Sequence, residues 1–190
     1  MNDTFRFSKE RIKAYEAKGL GHVSAMSAKG FFGLMKMETL IINPKELDLP
    51  LYSYDRIYVA SNDTLIVELY DTLAKPYSDE ELKSIINKYG DLAERDPGKH
   101  WYDEIKLKSS ISKKGKKSQS ARFDELALSH FDAYLSSGAE LSDAKLKQEK
   151  SEYYVNGLLK NGGPSTDVFK KALGEEKTEK LYKQILFGTK

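Results

Sequence analysis

The chain contains no cysteine, which excludes disulfides, thiolate chemistry, and zinc or iron–sulfur centres built on cysteine ligands. No stretch approaches the roughly 18 consecutive apolar residues of a membrane span. The first ten residues lack the apolar run of a secretory signal, so the sequence predicts a cytoplasmic protein. Histidine is scarce: His22, His100 and His130 stand far apart, and no pair has the one-turn spacing of a helical metal site. The glycines make no phosphate-binding signature either. Gly19-Leu20-Gly21 precedes no strand–loop–helix unit, and Gly30-Phe31-Phe32-Gly33 lacks the Lys-Ser or Lys-Thr pair of a phosphate loop. A formal charge of +2 supplies no global field for recruiting nucleic acid or membrane.

What is present is the material of a folded body. The chain has 190 residues, 39% of them hydrophobic, with 12 Tyr and 8 Phe, enough for one domain over 1–190 with a substantial core. Residues 8–18 read as a short helix ended by Gly19-Leu20-Gly21. Apolar-rich runs at Leu34–Ile42, Ile57–Ala60 and Leu65–Tyr70 read as strands, with Asn62-Asp63 as the hairpin turn between the last two. Past Pro76 the period becomes helical. Ser78 and Glu81 frame a capping box, and Leu82, Ile85, Ile86, Tyr89 and Ala93 line one face to about residue 94.

The segment from Trp101 to Ile111 fits either a strand or irregular chain, and Lys113–Lys117 reads as an exposed loop. The last third carries helical stripes. These run through Phe123, Leu126, His130 and Tyr134, then Leu146, Tyr154 and Leu158, then Val168, Phe169 and Ala172, and finally Leu181, Tyr182 and Ile185. Strands first and helices after predict an α+β class, an antiparallel layer or sandwich.

Asp55 is the residue on which the chemistry turns. It stands in Asp48-Leu49-Pro50-Leu51-Tyr52-Ser53-Tyr54-Asp55, and period two places it on the face of Ile57 and Val59. A carboxyl there is poorly hydrated, tends to hold its proton, and is better placed than a surface acid to deliver one. Two more acids lie in strand segments: Glu38 alternates with Leu34, Leu40 and Ile42, and Glu68 with Ile66 and Tyr70. Which acids share a side depends on register.

Two readings stand. Glu38 and Glu68 pair with Lys36, Arg56 or another base on a wetted face, worth roughly 0–1 kcal/mol each, with Asp55 capping a turn; or at least Asp55 faces a pocket as a proton donor. Asp71 fits a strand end, and His130, inside an apolar stripe, a packed core imidazole. From Ile105 to Arg122 there are seven Lys or Arg and no Asp or Glu. That bias fits a solvated loop, or a site for an anionic small molecule, an acidic partner or nucleic acid.

The stretch Asn43-Pro44-Lys45-Glu46-Leu47-Asp48-Leu49-Pro50-Leu51-Tyr52-Ser53-Tyr54-Asp55 resembles the ferredoxin-dependent bilin reductases, in which a proline-containing loop and Asp-Leu-Pro precede an aspartate on the next strand. Asn161, Phe169–Glu175 and Leu181–Phe187 are similar to that family's closing helices. The resemblance implies a three-layer α/β/α sandwich with a central antiparallel sheet and mostly C-terminal helices, holding a linear tetrapyrrole between sheet and helices. It further implies no bound flavin or metal, with reduced ferredoxin as external donor of single electrons and protein acids as proton donors. Asp55 matches the family's central proton-donating aspartate. Glu38 takes the position where one branch carries a catalytic histidine and would replace it. Lys36 and Arg56, or a lysine of 106–117, would meet the pigment's carboxylates, with Glu68 and Asn161 also at the substrate. The basic segment would alternatively dock the acidic electron carrier.

Overall fold

The computed structural model describes residues 5–6, 12–30, 34–163 and 165–190. A seven-stranded antiparallel sheet organises them. Its strands are β1 (Phe5–Arg6), β2 (Ile12–Ala17), β3 (Gly21–Gly30), β4 (Met35–Pro44), β6 (Leu51–Val59), β7 (Asn62–Tyr70) and β8 (Ile111–Lys116). The spatial order is β1-β3-β4-β6-β7-β8, and β2 pairs with β3 beside β1. A separate pair joins β5 (Leu47–Asp48) to β9 (Ala139–Glu140). The helices are α1 (Glu80–Lys88), α2 (Ser120–Ser136), α3 (Ala144–Asn161), α4 (Thr166–Leu173) and α5 (Glu175–Lys180), which runs on into a π-turn at Leu181–Leu186. Among the described residues, no helix is long and apolar enough to cross a membrane.

Two cores form because successive strand residues point to opposite sides. Tyr52, Leu65 and Val67 pack with Leu82, Phe123 and Leu126 under α1 and α2. Met26, Ile41, Leu51 and Tyr70 pack with Tyr154, Val155, Phe169 and Tyr182 of the C-terminal helices. The expected sandwich, a central antiparallel sheet between helical layers, is the observed one.

Local departures have local causes. The helix expected over 8–18 is strand from Ile12 to Ala17, and residues 8–11 lie outside the described residues. The partner that draws it into the sheet is β3, which directs small and polar residues (His22, Ser24, Ala28) inward and so carries little strand signal. The turn of the β6–β7 hairpin is Ala60-Ser61, with Ala60 at φ +52°. Asn62 and Asp63 belong to β7, because Asp63 is drawn inward by Arg56. Helix α1 ends at Lys88, and its cap has no side-chain hydrogen bond, so the Ser78–Glu81 box is not formed. The lysine-rich segment is an edge strand rather than a loop. Lys113 is buried there, donating to Leu92 O at 3.0 Å and meeting Glu94 Oε1 at 2.5 Å. Asp71 does sit at a strand end, accepting from Leu73 N at 3.1 Å. His130 is a core imidazole, 2.9 Å from Ser109 O, and burial pushes its pKa down.

The C-terminal turn is clipped to the sheet by three polar side chains. His22 Nε2, Ser24 Oγ and Asn43 Nδ2 donate to the carbonyls of Ile185, Leu186 and Phe187 at 2.8, 2.7 and 2.8 Å. These carbonyls lie where the π-turn closes, so the fasteners satisfy groups that the helix end leaves open.

Candidate active site

A cleft of about 290 Å³ opens between the Asp55 face of the sheet and the C-terminal helices. Strand β4 contributes Met37, Thr39 and Ile41, β6 contributes Ser53, Asp55 and Ile57, and β7 contributes Ile66, Glu68 and Tyr70. Register makes the row: Thr39 stands opposite Asp55, and Asp55 opposite Ile66. Tyr154, Phe169, Tyr182 and Phe187 form the opposing wall, and Arg95, Pro97, His100 and Tyr102 come from the chain that follows α1. The clipped C-terminal turn therefore fixes one side of the cleft through Leu186 and Phe187.

Asp55 is partly exposed on the cleft floor. Its Oδ1 accepts from Thr39 Oγ1 at 2.5 Å, and among the described residues its second oxygen accepts no hydrogen bond. Burial among apolar neighbours pushes its pKa up to about 6; the Thr39 hydroxyl works against that rise and the charge of Glu68 adds to it. The carboxyl thus combines a free oxygen with an affinity for its proton suited to transfer near neutrality.

Glu68 shares this face. Its Oε2 accepts from the Tyr70 hydroxyl at 2.6 Å, and its Oε1 lies 3.6 Å from Lys106 Nζ. Lys106 is held more closely by Asp103, at 2.8 Å. Tyr70 stacks on Tyr154 with ring centroids 4.0 Å apart and meets Tyr102 edge-on. Burial drives the Tyr70 and Tyr154 phenols well above their usual range. They remain neutral, flat surfaces for a ring system.

Four residues expected at the site lie elsewhere. Glu38 pairs across the sheet with Arg56, so both point to the opposite face from Asp55, as does Lys36. Glu38 and Lys36 form an ion pair at 2.6 Å with each side chain about half exposed, the wetted pairing weighed above. Arg56 is buried against Asp63. Asn161 is the exposed last residue of α3, and Gly163 and Ser165 beyond it reach the cleft instead. The physical reason for the first three is parity, since a one-residue shift along β4 or β6 reverses the face. Sequence reasoning missed Thr39, Arg95, His100 and Tyr102. Thr39 had a signal in its place beside Glu38, whereas the other three sit in irregular chain without periodicity.

A tight packing contact positions that irregular segment. The Trp101 ring lies on Gly157 of α3, where an added Cβ would overlap the indole, and Trp101 Nε1 donates to Gly162 O at 3.1 Å. Gly157→Ala is therefore expected to cost about 1–3 kcal/mol and to displace the segment bearing Tyr102. Trp101 is the chain's one tryptophan, so urea unfolding followed by its fluorescence checks both effects. Unchanged stability and emission would show that the contact is not limiting.

No protein-family model matches this sequence, and no curated protein matches it. The fold is similar to that of phytochromobilin synthase from tomato, solved in complex with biliverdin. The TM-score is 0.74 at 14% identity, and the match covers 98% of this chain and 73% of that one. At that identity, what the likeness shows is a shared fold.

Proposed function

We propose that this protein binds a linear tetrapyrrole in the cleft and reduces it by proton-coupled single-electron transfers, as a divergent bilin reductase. The observation that carries the reading is Asp55, a carboxyl with a raised pKa and an uncommitted oxygen on the floor of an aromatic slot. It is supported by the fold shared with a protein solved in complex with biliverdin. Reduction of one double bond consumes two electrons and two protons. Reduced ferredoxin supplies the electrons one at a time and is oxidised. Asp55 gives one proton to the pigment and recovers it from solvent, and the second proton comes from water. A protonated bilin accepts an electron more readily, so the acid and the donor act on the same step.

A second reading, a carrier or sensor that binds the pigment without reducing it, is favoured by the position of Glu38. Its placement on the other face removes from the cleft the acid expected to work beside Asp55. Anaerobic incubation with biliverdin, ferredoxin and a ferredoxin-reducing system separates the two. A time-dependent shift of the pigment spectrum supports the reductase. Tight binding with an unchanged spectrum supports the carrier, and no binding of any linear tetrapyrrole or haem sinks both.

A further inference from the structure

The three fasteners of the C-terminal turn are not equivalent. Ser24 and Asn43 are uncharged, so their bonds to Leu186 O and Phe187 O do not depend on pH. His22 can titrate, and only 4% of its surface is exposed. Its Nε2 lies 2.8 Å from Ile185 O and its Nδ1 2.9 Å from Glu16 Oε1. A carbonyl can only accept. Glu16 is an acceptor too, because its carboxyl is held below the usual carboxylate range, first by the bond to His22 and, against the opposing cost of desolvation, by Lys45 at 3.2 Å. A neutral imidazole donates through one nitrogen and accepts through the other. This arrangement is therefore satisfied when both ring nitrogens carry protons.

The surroundings offer the ring no other charge. Among the described residues, Glu16 of β2 reaches it directly, and Lys45, just past β4, reaches it through Glu16. Asn43, opposite His22 on β4, is neutral and is spent on Phe187 O and the Ser151 hydroxyl. The C-terminal turn presents Ile185 O and the backbone of Gly188, where an added Cβ would overlap the imidazole. What the ring holds is a wall of the cleft, since the turn carries Tyr182, Leu186 and Phe187 to it. When one proton leaves, the one that stays is on Nδ1, because a bond to a carboxylate is stronger than a bond to a carbonyl. Nε2 then turns a lone pair toward Ile185 O, and two acceptors face each other in a buried place.

We propose that His22 is a proton-operated latch on the C-terminal wall of the cleft: the imidazolium holds Ile185, and with it Leu186 and Phe187, and loss of one proton releases that end of the turn. Histidine changes charge between about pH 5 and 8. The folded arrangement needs the second proton, so the latch is closed at low pH and opens as pH rises. It requires the cleft but not the tetrapyrrole reading, and it makes any ligand packed on Leu186 and Phe187 bind more tightly below neutrality than above it.

The test begins with the ligand-free chain. Phe187 N and Thr189 N bond Tyr182 O and Lys183 O at 2.9 and 2.8 Å, and their hydrogen exchange is followed by NMR at pH 6 and pH 8, corrected for the intrinsic pH dependence of exchange. In wild type, protection should fall about 10–100-fold between the two, the usual worth of a charge-assisted hydrogen bond. Ser24→Ala should lower protection at both and keep the pH dependence, whereas His22→Gln should show the lower protection at both. Glu16→Gln should stay latched at both, because the glutamine amide donates to a neutral Nδ1 and leaves the Nε2 proton for Ile185 O. Glu16 is largely exposed, so this variant decides the matter even where circular dichroism shows His22→Gln unfolded. Equal protection of wild type at the two pH values, or a pH dependence that survives Glu16→Gln, overturns the latch. Biliverdin dimethyl ester, which lacks titrating carboxylates, is then titrated into Asp55→Asn and into Asp55→Asn/Glu16→Gln, so that Asp55 does not contribute. The first should bind about 10–100-fold more weakly at pH 8 than at pH 6, the same bond being lost, and the second equally at both. An affinity independent of pH in the first overturns the hold of the latch on the cleft. Absence of ester binding at either pH overturns the tetrapyrrole reading, and the exchange result alone then decides the latch.

Discussion

At pH 8 the Asp55→Asn variant should be more stable than the parent chain, and the difference should disappear on acidification. The sign follows from the raised pKa. Folding lifts Asp55 from 3.8 to about 6, so the native state binds the proton more tightly than the unfolded chain does. The resulting stabilisation is fully present below about pH 4 and is lost as pH rises through 6. Each pKa unit corresponds to about 1.4 kcal/mol, and partial exposure of the carboxyl lowers the total, so asparagine, which never ionises, should gain about 1–3 kcal/mol at pH 8. Urea unfolding at pH 8, 6 and 4 measures it. A variant less stable at all three values would show that the carboxylate is accommodated rather than tolerated. The same substitution should leave pigment affinity nearly intact, since the shape is kept, while turnover falls by about 10²–10⁴-fold with loss of the transferable proton. Stability and chemistry would then move in opposite directions at one atom pair.

The largest loss of stability is expected on the other side of the same strand. Arg56 Nε and Asp63 Oδ1 are 2.7 Å apart, Nη2 and Oδ2 are also 2.7 Å apart, and both side chains are almost wholly buried. The guanidinium lies over the Phe123 ring, 5.0 Å from its centroid, and bonds Ser120 O at 3.2 Å. Ser120 Oγ in turn donates to Asp63 at 2.5 Å. The pair therefore ties the β6–β7 hairpin to the first turn of α2. Arg56→Met strands a buried carboxylate and should cost about 3–5 kcal/mol, whereas Arg56→Met combined with Asp63→Leu should recover much of that loss. Removing the half-exposed Lys36–Glu38 pair should cost about 0–1 kcal/mol. Urea unfolding of the single and double variants decides the matter. An Arg56→Met cost as small as that of the surface pair would mean that Asp63 finds another partner or a proton.

How much of this was legible in the sequence differs between elements. The face of Asp55 followed from its alternation with Ile57 and Val59, because alternation within one strand needs no knowledge of its partner. The face of Glu38 did not, since it depends on the pairing of Thr39 with Asp55, which the connection from Pro44 to Leu51 sets. The C-terminal helices announced themselves through stripes such as Tyr154 and Leu158, which do face the cleft. Lys113 was hidden by its own chemistry, since a lysine in a basic run reads as solvated until a carbonyl and a carboxylate close over it. Arg95 and His100 lie in chain whose conformation is dictated by tertiary contacts, so no local pattern could place them.

Strand β6 carries two obligations on alternating residues. Ser53, Asp55 and Ile57 look into the cleft, and Tyr52 and Arg56 look into the opposite core. A saturation scan of 51–59 scored once for pigment binding and once for thermal resistance should therefore yield two profiles with the same two-residue beat, half a period out of step. Such a strand can drift in substrate preference without first surrendering its scaffold, which is one physical route by which an architecture persists between proteins that share 14% of their residues.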